Sequence, residues 1–589
     1  MKLARIAIWF DPEVAEARWR YGMNVFEAYL EELLNHRGIT YEMPKRLDDL
    51  QRSRYDLVLV ALAAETEATV DVLHRFASEG GGVVLFANLN RMAARFGYTR
   101  QPRYHSGYAS FGSGGKGTDG SESRPLRFLD ALPWRPFEEN AASAGKLGEI
   151  RLDALQDDAR DADHEVLPAL LRFRVGAGFV DRWSVGLLTT IVGLQQGSAP
   201  LAEDGAPAPD GTASVNDGIL KADDTIEMCW RRDRRVSETG APYFAYPYAD
   251  EWREVIIGHL VRRAAEHGWS VPYIGYWPPG VEAVAMISHD SDGNDEEHGM
   301  TTLELMKECG IRTTWCMIES GYSRKLYDRI EQDGHEIAFH YNAIDRNGYW
   351  AEAEFKRQLD FLRAVASDTD VVSNKNHVTR FEGWGELFRW CEKYGIESDQ
   401  TRGPSKKGNV GFLFGTCHPY RPIAWSEERN RRYNVLEIGF LTQDLDHGKW
   451  TDTSVIVPFL EEVRRAEGVA HFLFHQVHLH QKQPVREAFR RTVQEAKARG
   501  FEFWTGKRIN DWERARRGLR IVSVADDGAI SVAAGTGEAE KIEAVLYIPV
   551  PEGGSGSGEH SHASSVTVRY GVPTIRTSTG TTPLMRSVK

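Results

Sequence analysis

The chain is poor in cysteine and contains no long apolar run. A scattered, odd-numbered set of cysteines is not typical of a secreted disulfide scaffold. The 589 residues include five of them: Cys229, Cys309, Cys316, Cys391 and Cys417. No apolar run reaches the ~18–20 residues of a membrane helix, and the N-terminus lacks the apolar core of a signal peptide. We therefore predict a cytoplasmic protein without a membrane partner.

An excess of positive charge is also lacking. Asp and Glu number 85 against 72 Lys and Arg, which gives a formal net charge of −13. An acidic surface disfavours attraction to nucleic acid, so no nucleic-acid partner is predicted. Hydrophobic residues make up 41% of the chain and charged residues 27%, an ordinary globular mixture. The length predicts about two to four domains.

Short apolar runs alternate with helical patterns in the first hundred residues. Ile6–Phe10, Leu57–Val60 and Val83–Phe86 are the strand candidates, and apolar residues at helical spacing lie between them. This alternation predicts a parallel sheet covered by helices. The Gly- and Ser-rich segment from Tyr104 to Arg124 is predicted to be a loop.

Trp277-Pro278-Pro279-Gly280 marks a domain boundary, because consecutive prolines block helix and sheet pairing. Beyond it the strand–helix alternation restarts and supplies at least six β/α units in about 230 residues. This pattern predicts an α/β fold with a distorted TIM-like barrel over residues 281–516. Short β segments in residues 519–589 predict a small C-terminal β domain.

Four predicted strands of this barrel end in residues that can bind metal or transfer protons. They end in Asp290 with Asp292, in His340, in His377 and in His475. Barrel enzymes place their chemistry at the carboxyl ends of the strands, so these side chains are expected at one mouth. Carboxylate and imidazole groups without a thiolate suit zinc or another divalent first-row ion.

These segments resemble the motifs of the polysaccharide deacetylase (NodB-homology) family, which comprises metal-dependent amide or ester hydrolases with a distorted β/α barrel. The resemblance covers about Glu282 to Arg516. The matching segments are Ser288-His289-Asp290-Ser291-Asp292-Gly293, Gly334-His335-Glu336-Ile337-Ala338-Phe339-His340, Arg380 before Trp384-Gly385, and Leu473-Phe474-His475.

The resemblance implies a role for each matched residue. Asp290 is the general base, Arg380 holds that aspartate, and His475 is the general acid. Asp292 and His340 are metal ligands. The implied reaction is hydrolysis of an acyl group by metal-activated water.

One position departs from the family pattern. A second metal histidine is expected four residues after His340, where this chain has Ile344, whose aliphatic side chain cannot ligate. Asp345, Asn342 and His377 are the possible replacements. We favour His377, because it ends the neighbouring strand and should face the same mouth.

Other polar residues near these motifs have ordinary structural interpretations. His289 should point away from Asp290 by strand alternation and pack against a helix. His478 and His480 could form a second metal site, although a polar loop at the mouth is favoured. Asp399 could orient an imidazole, and Trp384 could face a sugar or lie in the core.

Residues 1–270 resemble class I glutamine-amidotransferase-like domains, which have a flavodoxin-like sheet. The matching segments are Ala4–Phe10, Asp56–Ala61, Gly80–Asn88, and Arg174–Val180 with Gln195-Gln196-Gly197. A glutaminase of that class needs a nucleophilic cysteine, and none precedes Cys229. The domain is therefore predicted to be non-catalytic, serving oligomerisation or shaping access to the barrel.

The sequence as a whole predicts a metal-dependent deacetylase that acts on an N-acetylated sugar or related amide. Two alternatives remain open. One is a catalytically retired carbohydrate-binding or scaffolding protein, which the loss of the second histidine motivates. The other is a C–N hydrolase of a small non-sugar amide, because a barrel does not determine its substrate. A homo-oligomer is possible.

Overall fold

The computed structural model describes most of the chain. The described residues are 1–111, 124–137, 141–152, 167–213, 218–344, 349–366, 370–525, 530–535, 539, 542–551, 565–581 and 584–585. Among them, no helix combines the length and apolar character that crossing a bilayer requires.

A large mixed sheet dominates the first half of the chain. Its strands run in the order β1-β2-β3-β10-β9-β8-β5-β6, while β4 pairs with β7 and β11 with β12. The strands are β1 (Ile6–Phe10), β2 (Leu57–Leu62), β3 (Gly82–Phe86), β4 (Tyr98–Arg100), β5 (Gly107–Ser110), β6 (Leu126–Phe128), β7 (Trp134–Pro136), β8 (Gly145–Leu152), β9 (Leu167–Val175), β10 (Gly178–Trp183), β11 (Arg234–Val236) and β12 (Pro242–Phe244).

The strands β1, β2, β3 and β10 form the parallel part of this sheet. On the other side of β1, Glu42 makes an isolated parallel bridge to Ala7. Counting this bridge, the parallel segments follow the order 2-1-3-4-5 along the sheet, and the flavodoxin-like assignment stays a prediction. Antiparallel strands extend the sheet beyond β10, and one of them, β5, lies inside the segment that was predicted to be a loop. The amidotransferase-like assignment stays a prediction.

Helices cover this sheet, as its buried, apolar parallel strands require. The hydrophobic residues of β2 and β3 are fully or almost fully buried. The helices are α1 (Pro12–Arg20), α2 (Leu30–His36), α3 (Glu67–Ser78), α4 (Leu187–Gln196) and α5 (Tyr248–Glu266).

The second half of the chain forms a curled parallel sheet that follows the order β19-β18-β17-β16-β15-β14-β21-β20, with β22 also paired to β14. Its two end strands, β19 and β20, are separated by only a few residues along the chain, which brings the sheet close to a closed barrel. This arrangement fits the predicted TIM-like barrel. The strands are β14 (Ala283–Asp290), β15 (Thr314–Met317), β16 (Glu336–Tyr341), β17 (Ser373–Asn376), β18 (Ser398–Asp399), β19 (Leu436–Glu437), β20 (Thr442–Gln443), β21 (Val469–His475) and β22 (Phe501–Phe503).

Helices alternate with these strands along the chain, as parallel strands need crossover connections. They are α6 (Glu296–Cys309), α7 (Arg324–Gln332), α8 (Glu352–Ala366), α9 (Glu386–Lys393), α10 (Ile456–Ala466), α11 (Gln476–Gln481), α12 (Gln483–Ala498) and α13 (Gly506–Arg517).

The C-terminal strands form two small sheets. The short strand β13 (Tyr273–Ile274), which precedes the barrel, joins one of them in the order β13-β25-β27-β26, and the other has the order β23-β24-β28. The predicted boundary before the barrel therefore lies beside a strand that pairs with the far end of the chain. The C-terminal strands are β23 (Leu519–Val524), β24 (Ile530–Ala534), β25 (Val545–Pro549), β26 (Ser565–Arg569), β27 (Val572–Ser578) and β28 (Leu584–Met585).

Buried ion pairs connect the first half of the chain to the barrel. The Arg517 guanidinium pairs with Glu32 of α2 and donates to Glu513 at 2.9 Å. Arg516 donates to the carbonyl of His36 at 2.6 Å. Because these groups are almost completely buried, each charge depends on its partner, and the contacts hold the two halves in one arrangement.

Candidate active site

The predicted site residues meet at the carboxyl ends of the barrel strands. Asp290 is the last residue of β14 and His475 the last of β21, and the two are directly paired in the sheet register. Asp292 follows β14, His340 lies in β16, and His377 follows β17. Parallel strands end at the same edge, and this geometry brings together side chains that are far apart in sequence.

Asp292, His340 and His377 converge on one point. Asp292 Oδ1 lies 3.5 Å from His340 Nε2 and 3.3 Å from His377 Nδ1. The two imidazole nitrogens are 3.3 Å apart. One ligand atom from each residue lies within 4.8 Å of those of the other two, a spacing that a single metal ion can bridge.

The hydrogen bonds around this cluster favour a metal ligand set. His340 Nδ1 lies 2.9 Å from the carbonyl of Lys375, which can only accept, so this nitrogen carries the proton. His340 Nε2 therefore faces Asp292, as in metal sites whose ligating histidine is oriented by a carbonyl. Among the described residues, Asp292 Oδ1 is buried and finds no hydrogen-bond partner of ordinary geometry. These donors fit a divalent ion.

The electrostatics of the cluster favour a charged Asp292 carboxylate. Burial opposes the charge on Asp292, but the neighbouring imidazoles of His340 and His377 outweigh it and lower the pKa of Asp292 well below its usual value. Burial likewise opposes a charged His377, and contact with Asp292 overcomes it and raises the pKa of His377. The negative charge of Asp292 and the imidazole of His377 therefore stabilise each other.

A strained turn places His377. The two residues that follow it, Val378 and Thr379, have φ values of 51° and 56°. Both are β-branched residues in the left-handed region, which costs on the order of 1–3 kcal/mol each. The turn ends β17 abruptly and leaves His377 beside His340. Such strain at a cluster of chemically active groups is common at functional sites.

Asp290 is held by a buried lysine. Lys375 Nζ lies 3.3 Å from Asp290 Oδ1 and donates to Ser288 Oγ at 2.5 Å. Ser288 Oγ also contacts His471 Nε2 at 2.8 Å. The other carboxylate oxygen, Asp290 Oδ2, faces His340 Nε2 at 3.6 Å. One oxygen of Asp290 is therefore held, and the other is directed toward the cluster.

The predicted contact between Arg380 and Asp290 is wrong in this structure. The Arg380 guanidinium pairs with Glu382 and donates to the carbonyl of Ala343 at 3.1 Å. Arg380 lies beyond the strained turn after β17, and this turn redirects the chain. Lys375, inside the strand, supplies the cation beside Asp290 instead.

We expect Lys375→Met to lower the free energy of unfolding by about 3–5 kcal/mol, because it leaves the buried Asp290 carboxylate without its cation. Urea denaturation measures this change. The matched control is Lys356→Met, which removes an exposed lysine paired with Asp360 on α8 and should cost at most about 1 kcal/mol. Equal losses of unfolding free energy in the two variants would show that the Lys375–Asp290 pair stabilises the protein no more than an exposed ion pair does.

His475 is oriented by an aspartate that the sequence interpretation overlooked. Asp444 Oδ2 accepts from His475 Nδ1 at 2.5 Å and from His478 Nδ1 at 2.8 Å, while its Oδ1 accepts from the backbone N–H of His475 at 2.8 Å. His475 Nε2 then points toward Asp290 and Asp292, at 3.9 and 3.8 Å. Burial lowers the pKa of His475, but the Asp444 carboxylate outweighs this effect and raises the pKa to about 10.

The three residues proposed to replace the second metal histidine, which is Ile344 in this chain, differ in their surroundings. Asn342 accepts the backbone N–H of Ile344 at 2.9 Å, so its side chain oxygen closes a local turn. Asp345 lies outside the described residues. Ile344 is partly buried. Of the replacements that the structure describes, His377 is the one in the cluster.

The remaining polar candidates have structural contacts. His289 packs between Trp315 and Phe489 of α12, as predicted. Asp399 accepts from Asn374 and Thr401 rather than from an imidazole. Trp384 stacks on Phe26 of the first half, in the core. His478 lies on α11, not in the predicted loop, and His480 Nδ1 contacts Thr301.

Two residues that contact Asp290 and His475, namely Lys375 and Asp444, were missed in the sequence for different reasons. Alternation along β17 places Lys375 and His377 on the same face, so the pattern could have revealed the lysine. Asp444 follows β20, a strand of two residues with no recognisable apolar run. Only the folded sheet shows that it lies beside His475.

No family model matches the chain, and no curated protein matches it in sequence. Solved structures do resemble it. Agd3, a carbohydrate deacetylase, matches 97% of this chain and 96% of its own at 10% identity, with a TM-score of 0.34. Puue allantoinase matches 41% of this chain and 93% of its own at 13% identity, with a TM-score of 0.30. A β-galactosidase from Rahnella sp. R3 matches 31% of this chain and 28% of its own at 18% identity, with a TM-score of 0.23. Likenesses this distant do not determine the reaction, and its assignment rests on the geometry of the site.

Proposed function

We propose that the chain is a metal-dependent hydrolase that removes the acyl group of an N-acetylated sugar or a related amide. The observation that carries the proposal is the convergence of Asp292, His340 and His377, with ligand atoms within 4.8 Å of one another. Asp290 and His475 face this cluster from two paired strands. The choice of a sugar as the substrate class rests on the resemblance of the barrel motifs to those of the polysaccharide deacetylase family.

Asp292, His340 and His377 are the residues that would hold the ion, with zinc the proposed metal. Three protein ligands with room for exogenous ligands are typical of catalytic rather than structural zinc. A divalent ion in this position supplies Lewis acidity, which polarises an acyl oxygen and makes water more acidic.

Asp444, His475 and His478 also have a spacing that could hold a metal. There, however, Asp444 Oδ2 accepts a hydrogen bond from each imidazole Nδ1. These bonds satisfy the carboxylate oxygen and leave His475 Nε2 facing Asp290. We therefore assign this group to proton transfer and the first group to the metal.

The protein groups divide the proton transfers between them. Asp290 Oδ2 takes a proton from the attacking water, since its other oxygen is held by Lys375. His475 Nε2 gives a proton to the departing amine, because Nδ1 is bonded to Asp444. A base and an acid that both face the cluster provide the two transfers that amide hydrolysis needs.

We expect stoichiometric zinc in the wild-type protein by elemental analysis after loading and desalting, and its loss in His340→Ala and His377→Ala. His478→Ala is the matched control, because it removes an imidazole from the neighbouring group and should keep the metal. Metal lost in His478→Ala but kept in His377→Ala would place the ion at Asp444. A wild type that takes up no zinc or other divalent ion contradicts the proposal.

Substrate class is tested by acetate release from a panel of N-acetylated oligosaccharides and of small acetylated amides. Turnover of the oligosaccharides supports the deacetylase proposal. Turnover of the small amides alone would support a hydrolase but contradict a sugar as its substrate. A metal-loaded protein inactive on both groups would argue against hydrolysis of acetyl amides.

A further inference from the structure

A cavity of about 550 Å³ lies between the first sheet and the segment that leads into β19. It combines aromatic side chains from the first half of the chain with a run of arginines from the second half. The lining residues are Phe10, Trp19, Ala28, Glu31, Met43, Arg421, Arg429, Asn430, Arg431, Arg432, Tyr433 and Asn434. Four of the lining residues are arginines.

Three of these arginines have carboxylate partners. Arg429 lies 3.3 Å from Glu16, Arg432 lies 3.3 Å from Glu31, and Arg431 lies 2.8 Å from Glu392. These pairs are exposed or partly exposed, so each holds an arginine in place without removing its capacity to bind a further anion.

Arg421 is the exception. Within the part of the chain that the structure describes, its Nε is buried without a hydrogen-bond partner, and no carboxylate lies within ion-pair distance of its guanidinium. Burial opposes its charge, Glu32 favours it, and Arg517, Arg514 and Arg432 oppose it again, with a net lowering of its pKa. A partly buried guanidinium that makes no ion pair among the described residues, at the wall of a cavity, is a site that an anion would complete.

Two aromatic rings lie in fixed positions beside the arginine segment. Trp19 Nε1 donates to Asn430 Oδ1 at 2.8 Å, which holds the indole against the arginine segment. The ring of Phe10 lies 6.4 Å from that of Trp19. The Arg429 guanidinium lies 5.9 Å from the indole centroid. A flat ring can stack on such a surface while its anionic groups reach the arginines.

The position of the cavity in the fold is also one where ligands bind. Phe10 ends β1, and Met43 follows the bridge between Glu42 and Ala7, so both lie at carboxyl ends of parallel segments. Open α/β sheets bind ligands outside these ends, where the strand order reverses. The reversal here occurs at β1, because the next two parallel segments lie on its two sides.

The cavity is separate from the metal cluster. Its arginine segment runs into Asn434, just before β19, and Arg514 donates at 2.8 Å both to the carbonyl of Asn434 and to that of Glu397, just before β18. These are the amino ends of the barrel strands. His340, His377 and His475 lie at or near the carboxyl ends.

We propose that this cavity is a second binding site, for a small ligand that carries phosphate or carboxylate groups next to a flat ring. The arginines bind the anionic groups, with Arg421 contributing most, and Trp19 and Phe10 contact the ring. Binding here is independent of acyl hydrolysis and does not require the proposed function to hold.

Isothermal titration calorimetry of the full chain with pyrophosphate, ADP and glucuronate tests the proposal. We expect at least one of these probes to bind, and Arg421→Gln to weaken that binding by about tenfold or more, since charged hydrogen bonds are lost. Arg429→Gln, at an exposed position that folding does not depend on, should weaken it by a smaller factor. Tighter binding of ADP than of pyrophosphate supports a contribution from the flat ring, whereas a preference for glucuronate over ADP contradicts it, because a pyranose ring is not flat.

Arg329→Gln serves as the matched control, because Arg329 of α7 lies outside the cavity and pairs with Asp333, the residue that follows this helix. It should bind the probes as the wild type does. No binding of any probe at millimolar concentration, or equal binding in wild type, Arg421→Gln and Arg429→Gln, overturns the proposal. Acetate release by Arg421→Gln should equal that of the wild type, which keeps failure of this site distinct from failure of the hydrolase proposal.

Discussion

Asp290→Asn is expected to lower kcat for acyl hydrolysis by about 10²–10⁴-fold while the protein keeps its metal. An amide at this position cannot take the proton of an attacking water, although it has nearly the shape of the carboxylate. The metal is retained because its proposed ligands are Asp292, His340 and His377. Acetate release and elemental analysis on the same preparation measure both properties.

Asp292→Asn is the matched variant, a carboxylate only two residues away on the same segment. It is expected to lose metal and activity together, because Asp292 Oδ1 lies within 3.5 Å of both cluster imidazoles. The two aspartates therefore have opposite expected effects on metal content. Wild-type activity in Asp290→Asn, or loss of metal in that variant, would remove the base assignment.

Asp444→Asn is expected to lower kcat by about 10²–10⁴-fold with a much smaller change in KM, by analogy with the loss of the orienting carboxylate in other Asp–His pairs. The Asp444 carboxylate accepts from His475 Nδ1 and from the His475 backbone N–H. Removing the charge of Asp444 lowers the pKa of His475 and weakens the hydrogen bond that orients its imidazole. A smaller fraction of His475 is then protonated and aligned with the leaving amine. Steady-state kinetics on the substrate found in the acetate-release panel measure the split.

His478→Ala is the control for this prediction. His478 also donates to Asp444 Oδ2 at 2.8 Å, yet its removal leaves the carboxylate beside His475. A small change in kcat is expected. A loss in His478→Ala as large as in Asp444→Asn would show that the whole group, rather than the Asp444–His475 pair, supports the reaction.

The position of the site was predictable because it depends on local sequence and on one rule of topology. Apolar runs ending in Asp290, His340 and His475 indicate strands, and the carboxyl ends of parallel strands meet at one edge. Alternation along a strand also predicted that His289 faces away from the site. These inferences need only the two-residue alternation of side chains along a strand and the order of strands and helices along the chain.

The first half of the chain was harder to predict. The parallel strands β2 and β3 are continuous apolar runs, which are recognisable in sequence. The strand β5 lies in a Gly- and Ser-rich segment and gains its stability from pairing with β6 and β8. Such pairing is a property of the assembled sheet, so it leaves little trace in local composition.

The sequence by itself determined the α/β alternation and the strand ends that carry carboxylates and imidazoles. Only the tertiary structure decided which cation meets Asp290 and which carboxylate orients His475. The turn at Val378 and Thr379 carries Arg380 away and leaves Lys375 beside Asp290. Asp444 reaches His475 across two neighbouring strands. Contacts of this kind depend on side-chain direction and on distances across the sheet, and neither is encoded in the spacing of residues along the chain.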